Sequence, residues 1–376
     1  MTEAPRIYLS PPDVGSQERD RLLKAFDSGW IAPVGPDLAR FEQDLAAYVG
    51  AEACAALSSG TSALRLALAL LGVGHGDEVV VATATFAASA FAVAHAGAHP
   101  VFCDVERDTW GLDPESLQNF LKGRAATGTL PKAVMPVALY GSAPNYPALI
   151  EVCERYEVPI IEDAAEALGS RSGQGMVGSM AHPAVFSFNG NKIMTTSSGG
   201  ALVGTQEQCD RVRFLASQAR EPVLHYEHEE IGFNFRLSNL LAAVGCGQLA
   251  RLEDMISRLE GVNERYRQEF PEFDWCPYGN TPRPNHWLSV AILPAGTDVV
   301  AIVDQLNSQN IEARPAWKPM HQQPVFAESE LIGSGAVADD LYRRGLCLPS
   351  GSTLAEKDLD RVTAALRAAL DGERSE

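Results

Sequence analysis

At 376 residues the chain can bury a sizeable core and divide into two domains, and 46% hydrophobic with 21% charged residues is the composition of an ordinary globular protein. Its formal net charge of -18 argues against a general nucleic-acid binder, which needs a basic face. No apolar run reaches the roughly 18–20 residues of a membrane span. The N-terminus has neither a basic region nor an apolar one, so no secretory signal is visible. Seven cysteines, odd in number and without a CxxC pair, suit free thiols in a reducing compartment better than disulfides or a zinc site. The expectation is a cytoplasmic protein without membrane or nucleic-acid partners and without a metal.

In chain order, apolar strand-like runs alternate with helical stretches. Strands are expected over 78–83, 99–105, 133–140, 159–163, 184–188 and 200–204. Helices fall between them over 61–71, 86–96, 114–122 and 146–156. The strand runs are dominated by Val, Ile and Phe and have no polar face, as in strands covered on both sides. The alternation predicts a mostly parallel, doubly wound α/β sheet. From Asn239 a long helical stretch reads as a connector. Beyond it lie a strand over 287–293, a helix over 298–310 and an amphipathic helix over 354–371, enough for a smaller α+β domain. The expected division is 1–250 and 251–376, with no internal repeat.

Four constellations can carry chemistry. In SSGTSALRLALALL, Gly60, Thr61 and Ser62 stand where a buried helix begins, which suits either a phosphate or an ordinary Ser/Thr cap. In PIIEDAAEA, Asp163 closes a strand, at the sheet edge where α/β proteins bind ligands, or else caps the next helix. In FSFNGNKIMTTSSGGA, Lys192 is a lone cation among small and hydroxylated residues, either a surface-loop lysine or a desolvated amine able to form a Schiff base. Ser187, five positions earlier, offers a further phosphate contact. In IGFNFRLSNLLAA, Asn234, Arg236 and Asn239 interrupt an apolar run, and Phe86 offers either a core ring or a platform for a flat ligand. A phosphate cradle, a carboxylate, an amine and an aromatic face together match pyridoxal 5′-phosphate.

The motifs SGTSAL, IIEDAAEALGS, FSFNGNKIMTTSSGGALV and FNFRLSNLLAAVGCGQL resemble those of the DegT family of nucleotide-sugar aminotransferases, over nearly the whole chain from Ile7 to Leu354. SGWIAPVGP, FLASQAREP and ARPAWKPMHQQPVF are most similar to enzymes of exopolysaccharide and bacillosamine-type pathways, which make a UDP-linked 4-amino-4,6-dideoxy-N-acetylglucosamine from its 4-keto precursor. The resemblance implies the fold type I of pyridoxal-phosphate enzymes, with Lys192 as Schiff-base lysine and Asp163 as partner of the pyridine nitrogen. Gly60, Thr61, Ser62 and Ser187 would hold the phosphate. Phe86 would stack on the ring, and Glu166 would lie near its O3′ side. Asn234 would reach the phosphate of a neighbouring subunit in a homodimer with shared active sites. Trp30, Asn189, Arg220, Arg236, Arg314, Lys318 and His321 are the implied substrate contacts. Many relatives carry His where Asn189 stands, and some carry an aromatic residue at Ala84.

The resemblance implies two half-reactions, with glutamate as amino donor and pyridoxamine 5′-phosphate as the form carried between them. A nucleotide diphosphate then has to be met locally against the acidic average, and Arg220, Arg236, Arg314 and Lys318 are the candidates, although Arg236 and Arg314 fit structural ion pairs equally well. His225 and His228 in LHYEHEE have no ligand pattern around them and read as a solvated loop. Among rivals, a nicotinamide dehydrogenase lacks its fingerprint, because GVGHG over Gly72–Gly76 precedes a strand and is not GxGxxG. The dehydratase branch of the family replaces the lysine with His. A non-catalytic, cofactor-binding regulatory protein is the alternative of another class.

Overall fold

The computed structural model describes residues 4–373. Its strands are β1 (Ala53–Leu57), β2 (Glu78–Ala82), β3 (His99–Cys103), β4 (Ala133–Met135), β5 (Glu162–Asp163), β6 (Ala184–Ser187), β7 (Gly200–Gly204), β8 (Asp274–Trp275), β9 (Ser289–Ile292), β10 (Arg314–Pro315), β11 (Leu331–Ile332) and β12 (Gly345–Leu348). The helices are α1 (Ser16–Asp27), α2 (Pro36–Val49), α3 (Gly60–Leu70), α4 (Ala87–His95), α5 (Pro114–Thr127), α6 (Tyr146–Arg155), α7 (Gln206–Ala216), α8 (Asn239–Leu249), α9 (Leu252–Glu269), α10 (Val299–Ser308), α11 (Ala336–Arg344) and α12 (Glu356–Glu373).

The strands β1-β7-β6-β5 and β4-β2-β3-β11 form two four-stranded sheets. Parallel bridges from Val134 to Ile160 and from Val137 to Asp163 join them edge to edge. Only β7 runs against its neighbours; the pairings of β2, β3, β4, β5, β6 and β11 are parallel. The pleat sends alternate residues to opposite faces, and both faces are apolar. Cys54, Ala56, Val80, Ala82 and Val134 join a core with α2, α5, α6, α8 and α9. Ala55, Leu57, Val79, Val81 and Met135 join another with α3, α4 and α7. This is the expected doubly wound arrangement.

The third sheet, β10-β12-β9-β8, is antiparallel throughout. One of its faces carries a third core built with α9, α10 and α12. The connector expected after Asn239 is two helices, broken at Ala250 and Arg251. The break is held by Arg251, whose guanidinium reaches Asp13 at 2.8 Å and Glu18 at 3.1 Å. α9 then spans two of the cores, with Met255 and Ile256 in one and Val262 and Tyr266 in the other. Two segments cross the division expected at residue 250: Ile7 pairs with Ile311, and β11 pairs with β3. The strand expected over 133–140 stops at Met135, because Pro136 has no N–H to continue the ladder and Leu139–Gly141 turns as a short 3-10 helix. β1, ACAAL, has no sequence signature of a strand; burial of all five residues makes it one.

Candidate active site

Parallel strands end on one edge, and the segments leaving β2, β5 and β6 there carry Phe86, Asp163 and Lys192. The N-terminus of α3 faces the same edge. Ser59 caps it, accepting from Ser62 N–H at 3.0 Å. The N–H groups of Gly60 and Thr61 lie in the first helical turn, where no intrahelical acceptor exists. Close packing makes this possible: a Cβ on Gly60 would sit 2.9 Å from Ser187 Cβ, and one on Gly200 would meet Gly60 N at 2.5 Å.

Together these elements enclose a cavity of about 290 Å³ lined by Gly60, Thr61, Phe86, Asp163, Glu166, Ser187, Asn189 and Lys192, with Ser89, Asn191, Trp287 and Trp317. Lys192 Nζ donates to Glu166 Oε1 at 3.2 Å, and both side chains are almost wholly buried. Glu166 Oε2 is held by Tyr140 N–H at 3.0 Å. Asp163 Oδ2 accepts from Ser89 Oγ at 2.7 Å and Oδ1 from Ala165 N–H at 3.1 Å. Burial pushes the Asp163 carboxyl above its ordinary range, and the Ser89 and Ala165 donors hold it down. Phe86 is 57% exposed and presents an open aromatic surface, edge-on to Trp317 at 6.1 Å. A second cavity of about 580 Å³ adjoins the first, sharing Phe86, Asn191, Trp287 and Trp317 and adding Tyr8, Glu312 and Arg314.

Eight expected residues therefore come together in one cavity; the others do not line it. Ser62 turns inward, bonded to Ser58 and Ser59 at 3.0 and 2.8 Å. Asn234 and Trp30 are exposed. Arg220 is exposed and lies 4.2 Å from the centre of the Tyr226 ring. Arg236 is an ion pair with Glu42 at 2.7 Å. Arg314 lines the second cavity, paired with Glu312 at 2.9 Å. Lys318 is half-buried, and His321 is fixed between Thr83 Oγ1 at 2.7 Å and Asp339 at 3.0 Å. His225 and His228 lie in an exposed loop. Ser89, Trp287 and Trp317 have no sequence signal of a site: Ser89 reads as one more small residue in an Ala-rich helix, and Trp287 as the first residue of a core strand.

Fold and site define a pyridoxal-phosphate enzyme: an amine, a buried carboxylate, an open aromatic face and a free helix start fit that flat, phosphorylated ring. Residues 12–367 match the DegT/DnrJ/EryC1/StrS aminotransferase family, to which the chain belongs. It is 44% identical to EpsN of Bacillus subtilis over 96% of this chain and 95% of that one. It is 35% identical to the GDP-perosamine synthase of Caulobacter vibrioides over 97% and 99%. A crystal structure of a DegT DnrJ EryC1 StrS aminotransferase from Brucella abortus superposes with a TM-score of 0.86 at 30% identity, covering 94% of this chain and 95% of that one. The protein is a pyridoxal-phosphate-dependent aminotransferase. Among the described residues no helix is long and apolar enough to cross a membrane.

Proposed function

We propose that the enzyme moves an amino group from glutamate to C4 of a nucleotide-linked 4-keto-6-deoxy sugar, UDP-4-keto-6-deoxy-N-acetylglucosamine first, in the cytoplasmic synthesis of a surface polysaccharide or glycan. The observation that carries the reading is the Lys192 amine, 3.2 Å from Glu166 in the cavity that Asp163 also lines. Pyridoxal 5′-phosphate supplies an aldehyde that takes up amines and a protonated ring that accepts the electron pair left on carbon. Lys192 would hold the cofactor covalently, and once displaced its Nζ would take the proton from the donor's Cα and deliver it to the cofactor's C4′. Asp163 keeps the ring nitrogen protonated. Glu166 would keep the freed Lys192 side chain in place. Gly60, Thr61 and Ser187 hold the phosphate, with Ser62 fixing the turn that presents them.

The adjoining cavity with Tyr8 and Arg314 supports a second, larger anionic substrate beyond the amino acid. Asn234, exposed on its own chain, contacts the phosphate of a second subunit in a homodimer with shared sites. The seven cysteines, all buried and unpaired, support a reducing compartment. A GDP-linked keto sugar is the second reading, favoured by the 35% identity to a GDP-perosamine synthase; a dTDP-linked or 3-keto sugar comes after it. The test is amine transfer from glutamate to a panel of UDP-, GDP- and dTDP-linked keto sugars, with Lys192→Ala beside the wild type. The largest kcat/KM is expected for the UDP-linked 4-keto sugar, with a loss of at least about 10²-fold in the variant. A GDP preference would select the second reading, and undiminished transfer by Lys192→Ala would overturn the assignment of the amine.

A further inference from the structure

Lys192, the lone cation of its segment, has a second partner besides Glu166. Lys192 Nζ lies 4.0 Å from the centre of the Trp287 ring, over its face. That is well inside the roughly 6 Å range in which an aromatic face attracts a cation, and indole is the strongest of the natural rings in this role. Trp287 is 1% exposed, so the contact is desolvated.

The ring is fixed relative to both partners of the amine. Trp287 Nε1–H donates to Asn191 O at 2.6 Å, tying the indole to the residue before Lys192. Trp287 N–H donates to Asn285 Oδ1 at 3.0 Å. The Asn285 Nδ2 group in turn donates to Glu166 O and Leu168 O, each at 3.0 Å. One buried segment, Asn285 to Trp287, thus connects the loop carrying the amine to the turn carrying its carboxylate. His286 between them has a φ of +52°, a left-handed conformation unusual for a side chain of its size. Such a turn persists only where its surroundings enforce it, and here it leaves Trp287 under the amine.

We propose that Trp287 is a positioning residue for the catalytic amine: together with Glu166, its indole face holds Lys192 Nζ as an ammonium in the cofactor-free protein, and again once the displaced amine has taken up the donor's Cα proton. An amine that releases the cofactor and must retrieve it cannot be left to swing on a four-carbon stem. A carboxylate alone fixes one direction, whereas a ring face holds the cation over an area and leaves its protons free to donate. This inference rests on Lys192 being the catalytic amine.

The test alters the ring's electrostatics while keeping its shape. Trp287→5-fluorotryptophan and the corresponding di- and trifluorinated residues are incorporated at position 287 alone, leaving Trp30, Trp110, Trp275 and Trp317 unchanged. Trace acetylation of Lys192 in the cofactor-free protein, read by peptide mass spectrometry against the other lysines, reports the fraction of free amine. The rate is expected to climb with each fluorine, reaching about 2- to 30-fold for the trifluorinated ring. A flat series in proteins of unchanged Tm would overturn the proposal, since a merely structural tryptophan is indifferent to fluorination. If the trifluorinated protein does not fold, the mono- and difluorinated members still give the slope. Borohydride reduction of the wild-type holoenzyme checks the underlying reading separately: cofactor attached to a residue other than Lys192 sinks that reading, whatever the fluorine series shows.

Discussion

Asp163 and Lys192 line one cavity, and for the carboxylate burial acts against the charged form unless something specific opposes it. For Asp163 the opposition is the Ser89 hydroxyl at 2.7 Å and the Ala165 N–H at 3.1 Å. A hydrogen bond to a charged group is worth roughly 1.5–3 kcal/mol, so Ser89 is a large share of what keeps this carboxylate ionised. Ser89→Ala is expected to raise the Asp163 carboxyl further. The proposed mechanism needs the ionised form, so the acidic limb of the kcat–pH profile is expected to move to higher pH. With the aspartate less able to hold the ring proton, kcat falls by about 10-fold or more with donor KM little changed. Steady-state kinetics across pH measures both, and an unmoved acidic limb would show that the hydroxyl has no such role.

At the scale of elements, the site depends on how closely α3 approaches β6 and β7. A Cβ on Gly200 would press into the Ser59 and Gly60 backbone at 2.5 Å, which no side-chain rotation can relieve. Gly200→Ala is expected to cost about 1–3 kcal/mol and to weaken phosphate binding. Gly190→Ala, whose Cβ would meet only Ser197 O at 3.8 Å, serves as its control. Melting curves and cofactor titration of the two variants test the difference.

Strand β5 shows a further division of labour. Adjacent residues point to opposite faces, so Asp163 meets Ser89 of α4 while Glu162 meets the loop over 178–181, accepting from Gly178 N–H at 2.5 Å and from Ala181 N–H at 3.1 Å. Burial outweighs those donors and raises the Glu162 carboxyl from 4.5 to about 7. A raised carboxyl means that the folded state binds the proton more tightly. Its contribution to stability is therefore complete below about pH 4.5 and lost as pH rises through about 7. Against Glu162→Gln, which does not titrate, the wild type should lose on the order of 1.4 kcal/mol per pH unit inside that window. Denaturant unfolding of both proteins at several pH values reads the difference, and parallel curves would contradict it.

For the whole molecule, the accessible surface is 16186 Å², above the roughly 14,500 Å² usual for a monomer of this mass. Part of the excess lies in the loop after α7, where Leu224, Tyr226 and Ile231 are 104%, 79% and 90% exposed. Apolar side chains so far from any core support the proposed homodimer, in which a second subunit would cover them. Leu224→Glu combined with Ile231→Glu is expected to shift the protein towards monomer and to lower cofactor affinity, measured by sedimentation and by cofactor titration. A stable dimer that keeps full affinity in the double variant would remove this loop from the interface.

Much of the protein was legible in its residues. The apolar runs foretold the parallel sheet, because strands covered on both faces need no polar side. The small neighbours of Lys192 and the carboxylate ending β5 marked the two residues on which the proposed chemistry turns, because few side chains can do those tasks and both lie where strands leave the sheet. What the sequence could not contain was direction and distance between segments far apart in the chain. Alanine-rich β1 became a strand only through burial. Arg236, a candidate for the substrate's phosphates, was taken by Glu42, 194 residues away. Ser89 and Trp287 gained their partners only when helices and strands packed. Local chemistry sets what a residue can do; close packing from both faces of the sheet decides which partner it meets.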